Sequence, residues 1–155
     1  MASKGVFPQV RARNLEGVDV DLPVGFVGDR NVVAIAFQRN HQSLVDSWIP
    51  WFEEQAAVDP GLRFYELPTI GRIWAPVHNL IDGGMAAAIR EPAILQRTLT
   101  IYGDVNRVTR PLGIEERSTI ALLLVDGSEH VRWRWARGFT PLLAHDLETV
   151  LAEDA

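Results

Sequence analysis

Val32-Val33-Ala34-Ile35-Ala36-Phe37 is an unbroken apolar run of strand length. A strand with one face in water alternates apolar and polar side chains, whereas a continuous run suits a strand covered on both faces, as in a largely parallel sheet. The run therefore predicts the central strand of an α/β sheet. After it, Ser43-Leu44-Val45-Asp46 has the spacing of a capping box, and Val45, Trp48, Ile49, Phe52 and Ala56 recur on one helical face. Pro50 falls inside that helix and is expected to kink it.

Upstream of the run, Val10 to Leu22 reads as two short extended pieces around Asn14-Leu15-Glu16-Gly17, an N-terminal hairpin. Downstream, Leu62 to Leu67 reads as a second strand, and Pro68 to Arg97, with its Pro, Gly and Ala clusters, as broken helix. Thr98 to Tyr102 alternates as a strand, and Asp104 can cap a short helix ending near Leu112-Gly113. Ile120 to Val125 is a buried strand by composition, and Asp126-Gly127-Ser128 turns it into His130 to Trp135. Strict alternation there puts Val131, Trp133 and Trp135 on one face and Arg132 and Arg134 on the other. Thr140-Pro141 pairs a helix cap with a proline at the first helical position, and Leu143, Leu147, Val150 and Leu151 form the stripe of a closing helix. The order implies an α/β domain with a mixed central sheet flanked by helices.

At 155 residues and 47% hydrophobic composition, the chain has enough apolar surface for one substantial core, so 1–155 is expected to be a single domain. Twenty acidic residues against 15 basic ones give a net charge of -5, which opposes the phosphate attraction that nucleic-acid binders use. The chain has no cysteine, and so no disulfide, thiolate nucleophile or zinc–thiolate site. Met-Ala-Ser-Lys-Gly-Val-Phe-Pro lacks the apolar stretch of a secretory signal, and no later run reaches membrane-spanning length, so the expectation is a cytoplasmic protein with no membrane span.

The order of elements, with Phe7-Pro8, Leu15 to Pro23, Val32 to Phe37 and Leu123-Leu124-Val125-Asp126-Gly127, resembles the redoxin branch of the thioredoxin-like superfamily. The resemblance implies that redox cysteines would stand in the loop and first turn after the central strand, at Gln42 and Val45 counting back from Pro50, and that a cis-proline would fall near Ile120. Neither position holds cysteine, and Ser118-Thr119-Ile120 holds no proline. Asp46-Ser47-Trp48 with Pro50 and Phe52, Thr100-Ile101-Tyr102, and Val125-Asp126 leading to Val131-Arg132-Trp133 are also similar to mitochondrial F-type ATP synthase assembly factors, cysteine-free assembly chaperones of this fold. The Asp82-Gly83-Gly84-Met85 region has no counterpart in them. The pattern is similar, too, to uncharacterised bacterial thioredoxin-like proteins, for which no activity is implied.

The resemblance directs attention to His41, Gln42 and Ser43 at the former redox position, read as an exposed helix N-terminus. His41 is either a proton donor or an ordinary loop histidine beside a cap. Ile73 to Met85, including Trp74, places large apolar groups beside the expected ligand face, serving either contact or packing. His78 and Asp82 share a helical face but make only two metal ligands, fewer than a site needs, and His145 and Asp146 read as surface residues. Trp133 and Trp135, with Arg132 and Arg134, read first as sheet packing and second as a recognition surface. The expected function is a non-catalytic protein-binding or assembly module without cofactor, contacting a protein partner through His41, Gln42, Ser43, Trp74, Met85 and Ile120. The alternative is an enzyme with cysteine-independent chemistry, using His41 with Asp46 or a residue of 73–85.

Overall fold

The computed structural model describes residues 5–38, 41–70, 97–102 and 105–153. Its strands are β1 (Val10–Asn14), β2 (Asp19–Leu22), β3 (Arg30–Ala36), β4 (Leu62–Ile70), β5 (Leu99–Tyr102), β6 (Ala121–Asp126) and β7 (Val131–Trp135). The helices among the described residues are α1 (Gln42–Asp46), α2 (Ile49–Val58), α3 (Asn106–Leu112) and α4 (Pro141–Glu153). Trp74, His78, Asp82, Met85 and Asp104 lie outside the described residues, as does most of the expected broken helix. β4 continues through Pro68 to Ile70, beyond the expected strand end at Leu67.

One seven-stranded mixed sheet runs in the order β2-β1-β5-β4-β3-β6-β7. β3 is parallel to β4, β4 to β5, and the pairs β3–β6, β6–β7, β1–β2 and β1–β5 are antiparallel. The apolar run lies where its composition requires. Val32 and Ala34 pack with α1, α2 and α4 through Val45, Trp48, Phe52, Leu143 and Leu147, while Val33 and Ile35 face Phe7, Tyr65, Leu67, Val108 and Leu112. All four of those β3 side chains are fully buried.

Local chemistry fixes the edges of this frame. The Asn14 side chain accepts hydrogen bonds from the amides of Glu16 (2.9 Å) and Val18 (3.0 Å), and Gly17 takes the positive φ of 84° that closes the hairpin. Gly113 ends α3 in the left-handed conformation at φ 66°. Thr140 Oγ1 accepts from the Leu143 amide at 3.2 Å and caps α4.

Sequence expectations for the helix after β3 and for β7 are corrected. The helix after β3 is not one kinked rod: α1 stops at Asp46 and α2 starts at Ile49, with Pro50 in its first turn. Proline has no amide to offer the Asp46 carbonyl four residues back, and it is tolerated in a first turn where that donor would be idle. Nor does Ser43 cap a helix: His41 holds the N-cap position of α1 and no side chain bonds there.

The second correction concerns β7. Val125 pairs with Val131 but Leu124 with Trp133, so a bulge leaves Arg132 as the extra residue. Val131 therefore faces the Val33 side of the sheet and Trp133 the opposite side, against the expectation that they share a face. Trp133 is buried and donates to Asp146 at 2.7 Å, whereas Trp135 is 49% exposed. Asp146 and His145 are exposed on α4, as expected.

Trp48 joins these layers. It is fully buried, meets Trp51 and Phe139 edge-on at 5.5 and 5.2 Å, and donates its indole N–H to the Arg137 carbonyl. Trp48→Ala is expected to cost about 3–5 kcal/mol, the range for emptying a large aromatic site in a core. Urea unfolding reads this directly, and a loss under about 1 kcal/mol would show that the site collapses without Trp48.

Candidate functional site

The carboxyl end of β3 leads through Phe37 and Gln38 into α1, the position where open α/β sheets present ligands. His41 does not stand out from this loop. Its amide donates to the Gln38 carbonyl at 3.1 Å, its Nδ1 accepts from the Phe37 amide at 3.0 Å, and the ring meets Phe37 edge-on. The side chain is thereby folded inward and is 1% exposed, contrary to the expected exposed histidine. Because Nδ1 accepts, the ring proton sits on Nε2, and that buried atom has no hydrogen-bond partner among the described residues. His41 is thus not oriented by Asp46, one of the two partners the cysteine-independent enzyme reading offers; the other, in 73–85, lies outside the described residues. Asp46 instead accepts from Gln42 Nε2 at 2.9 Å.

The two positions matched to redox cysteines differ in kind. Val45 is fully buried in the core against β3, whereas Gln42 is exposed, as are Ser43, Asp46 and Ser47. Ile120 is also fully buried, on the side of the sheet that holds Leu122 and Leu124. The exposed groups near it are Arg117 and Ser118. Gln38 reaches across to the Arg117 carbonyl at 3.2 Å, and the Arg117 guanidinium is held by Asn106 and Thr109 at 2.5 and 2.9 Å. The structure therefore places Gln42, Ser43 and Asp46 together on an exposed polar stretch of α1. It withdraws His41 and Ile120 into the interior.

On the other side of α1, the β7–α4 loop closes against the helix. Ser47 Oγ accepts from the Phe139 amide at 2.9 Å and donates to the Leu44 carbonyl, and a Cβ built on Gly138 would lie 2.9 Å from Leu44 Cδ2. A larger residue there would have to displace the end of the Leu44 side chain.

Sequence reading missed Glu66. It sits on β4, only 8% exposed, on the same side of the sheet as Leu62 and Phe64, and forms an isolated parallel bridge with Thr98. The available signal was the alternation Leu62, Phe64, Glu66, which puts a carboxyl on an apolar face. Its pKa is raised from 4.5 to about 7, first by burial and then by the negative charge of Asp46, with a hydrogen bond from Gln42 and the positive charge of Arg97 opposing the shift. Glu66 thereby couples the floor of the sheet to the polar surface of α1. Among the described residues, no group of three or more His, Asp or Glu side chains is placed to hold a metal ion. No helix among them is long and apolar enough to cross a membrane.

No family model and no curated protein matches the chain in sequence. Solved structures do match in fold. The thioredoxin domain of a thiol-disulfide oxidoreductase from Bacteroides vulgatus superposes with a TM-score of 0.58 at 17% identity, covering 96% of this chain and 97% of that one. Yeast Sco1 with copper bound gives 0.61 at 11% identity, covering 97% and 94%. A DsbF homologue from Corynebacterium diphtheriae gives 0.56 at 16% identity, covering 96% and 85%. The chain has a thioredoxin-like fold.

The raised pKa of Glu66 has a definite sign in stability. The folded chain holds this proton more tightly than the unfolded chain, so stability falls as pH rises from 4.5 to about 7, and the full cost is present above that. Glu66→Gln retains the neutral shape and removes the titration. It is expected to gain on the wild type by an amount on the order of 3 kcal/mol between pH 4.5 and 8. Urea unfolding across this range checks it, and parallel pH profiles for the two proteins would contradict it.

Proposed function

We propose that this cysteine-free chain with a thioredoxin-like fold is a non-catalytic protein-binding or assembly module that uses the surface of α1. One observation carries the reading: the residue at the second former cysteine position, Val45, is a fully buried core side chain, while the outward side of the same helix stays open and polar through Gln42, Ser43 and Asp46. A site that keeps a nucleophile must expose it, and this helix exposes only amide, hydroxyl and carboxylate groups that bind by hydrogen bonding. The resemblance of Asp46-Ser47-Trp48 to the mitochondrial assembly factors supports an assembly role. The redox and copper-bound character of the structural neighbours does not carry over, because the chain has no sulfur nucleophile or thiolate ligand. Trp74 and Met85 remain part of the proposed contact region on sequence grounds.

Crosslinking mass spectrometry on complexes purified from the native host tests this. Crosslinks to the partner should concentrate on Ser43 and its neighbours, and Ser43→Arg should reduce partner recovery about tenfold or more while leaving thermal stability within about 0.5 kcal/mol, as an exposed site permits. Unchanged recovery by a folded Ser43→Arg protein, or turnover of a substrate lost on His41→Ala, would sink the proposal.

A further inference from the structure

β7 is the outermost strand of the sheet, and its outer side already receives an extended segment at one end. Val6 bridges His130 in antiparallel fashion, the Val131 amide donates to the Gly5 carbonyl at 2.7 Å, and the Phe7 amide donates to the Glu129 carbonyl at 3.0 Å. At its other end, Arg134, Trp135, Ala136 and Arg137 line an open concavity of about 530 Å³. Trp135 is half exposed there.

The charge of this corner is unlike that of the chain. From His130 to His145 there are three arginines and no acidic residue, in a protein of net charge -5. Arg132 is paired with Asp126 at 3.7 Å, but among the described residues no ion pair engages Arg134 or Arg137. Arg134 instead donates to the Leu112 carbonyl at the end of α3. The corner is also next to the proposed contact surface, because Trp48 bonds the Arg137 carbonyl and Phe139 bonds Ser47.

The geometry points to the Arg134–Arg137 edge of β7 as a docking site for an extended acidic segment of a protein partner, one that alternates carboxylate and apolar side chains. This rests on the protein-binding reading above and names the chemistry of the partner. The alternation follows from the strand. Arg134 reaches α3 on one side of the sheet, while Trp135 lies on the other, level with Leu122. A strand added at this edge places successive side chains on those two sides in turn, so carboxylates meet arginine on one and apolar groups meet Trp135 on the other. Arginine holds a carboxylate through paired N–H donors, and exposed tryptophan supplies contact area at little entropic cost. A polynucleotide fits less well, since it would bring uniform charge against an acidic protein and leave the Trp135 side without an apolar partner.

A fluorescein-labelled peptide of alternating glutamate and valine, titrated into the full chain and followed by anisotropy, tests the inference. Saturable binding is expected, weakened by salt, about tenfold weaker for Arg137→Glu and for Trp135→Ala, with a lysine–valine peptide not binding the wild type. Arg137 is exposed and, among the described residues, bonds only through its backbone, so Arg137→Glu remains interpretable if Trp135→Ala is unstable. No binding of the glutamate–valine peptide, equal binding by Arg137→Glu, or binding of oligothymidylate as tight as that of the peptide would each overturn it. Partner crosslinks at Ser43 in the same protein would then leave the α1 reading standing, whereas peptide binding without any α1 crosslinks would overturn that reading alone.

Discussion

The burial of β3 on both faces is the constraint on which the other elements depend. Val32 and Ala34 must be covered from one side and Val33 and Ile35 from the other, and no two-layer arrangement does this. Helices α1, α2 and α4 close one side; α3, the Phe7 segment and the hairpin close the other. Polar residues fix the ends of the strand. Arg30 pairs with Asp59 at 2.6 Å and donates to the Leu151 carbonyl, tying the start of β3 to the helical layer. The fully buried Asn31 accepts from the Gly28 amide and donates to the carbonyls of Gly28 and Val125, so its polar atoms stay satisfied in an apolar setting. A strand held at its start and covered on both faces delivers its carboxyl end to a fixed place, and the α1 surface inherits that placement.

The elements legible in the sequence are those set by local composition. The apolar run, the Asn14–Gly17 turn, the Gly113 stop and the Thr140-Pro141 start each depend on residues within a few positions, and the structure has them all. The bulge at Arg132 was not legible, because Val131 to Trp135 alternates without flaw and the extra residue exists only relative to β6. The break between α1 and α2 was half legible: Pro50 announced an interruption, but whether a helix bends or restarts depends on packing that burial of Trp48 and Trp51 decides.

The site was legible by position more than by exposure. Placing Gln42 and Ser43 on the surface of the helix after β3 needed only the order of elements. The burial of His41 needed the Phe37 amide as a hydrogen-bond donor, and that of Ile120 needed the side-to-side register of β6, neither of which a one-dimensional pattern contains. Glu66 shows the converse. Its misfit on an apolar strand face was visible, but its effect on α1 depends on Asp46 and Gln42 arriving from another element.

The loop and first turn after β3 settle polar groups among themselves: the Phe37 amide is taken by His41 Nδ1, and Asp46 accepts from Gln42. Gln42, Ser43 and Asp46 stay exposed on the outward side of α1. At the sheet edge Arg132 pairs with Asp126 within the bulge, while Arg134 and Arg137 have no ion pair among the described residues. The α1 surface and this edge adjoin along the contact between α1 and the β7–α4 loop, where Phe139 bonds Ser47 and Trp48 bonds the Arg137 carbonyl, so the packing that fixes α1 also fixes the edge beside Trp135.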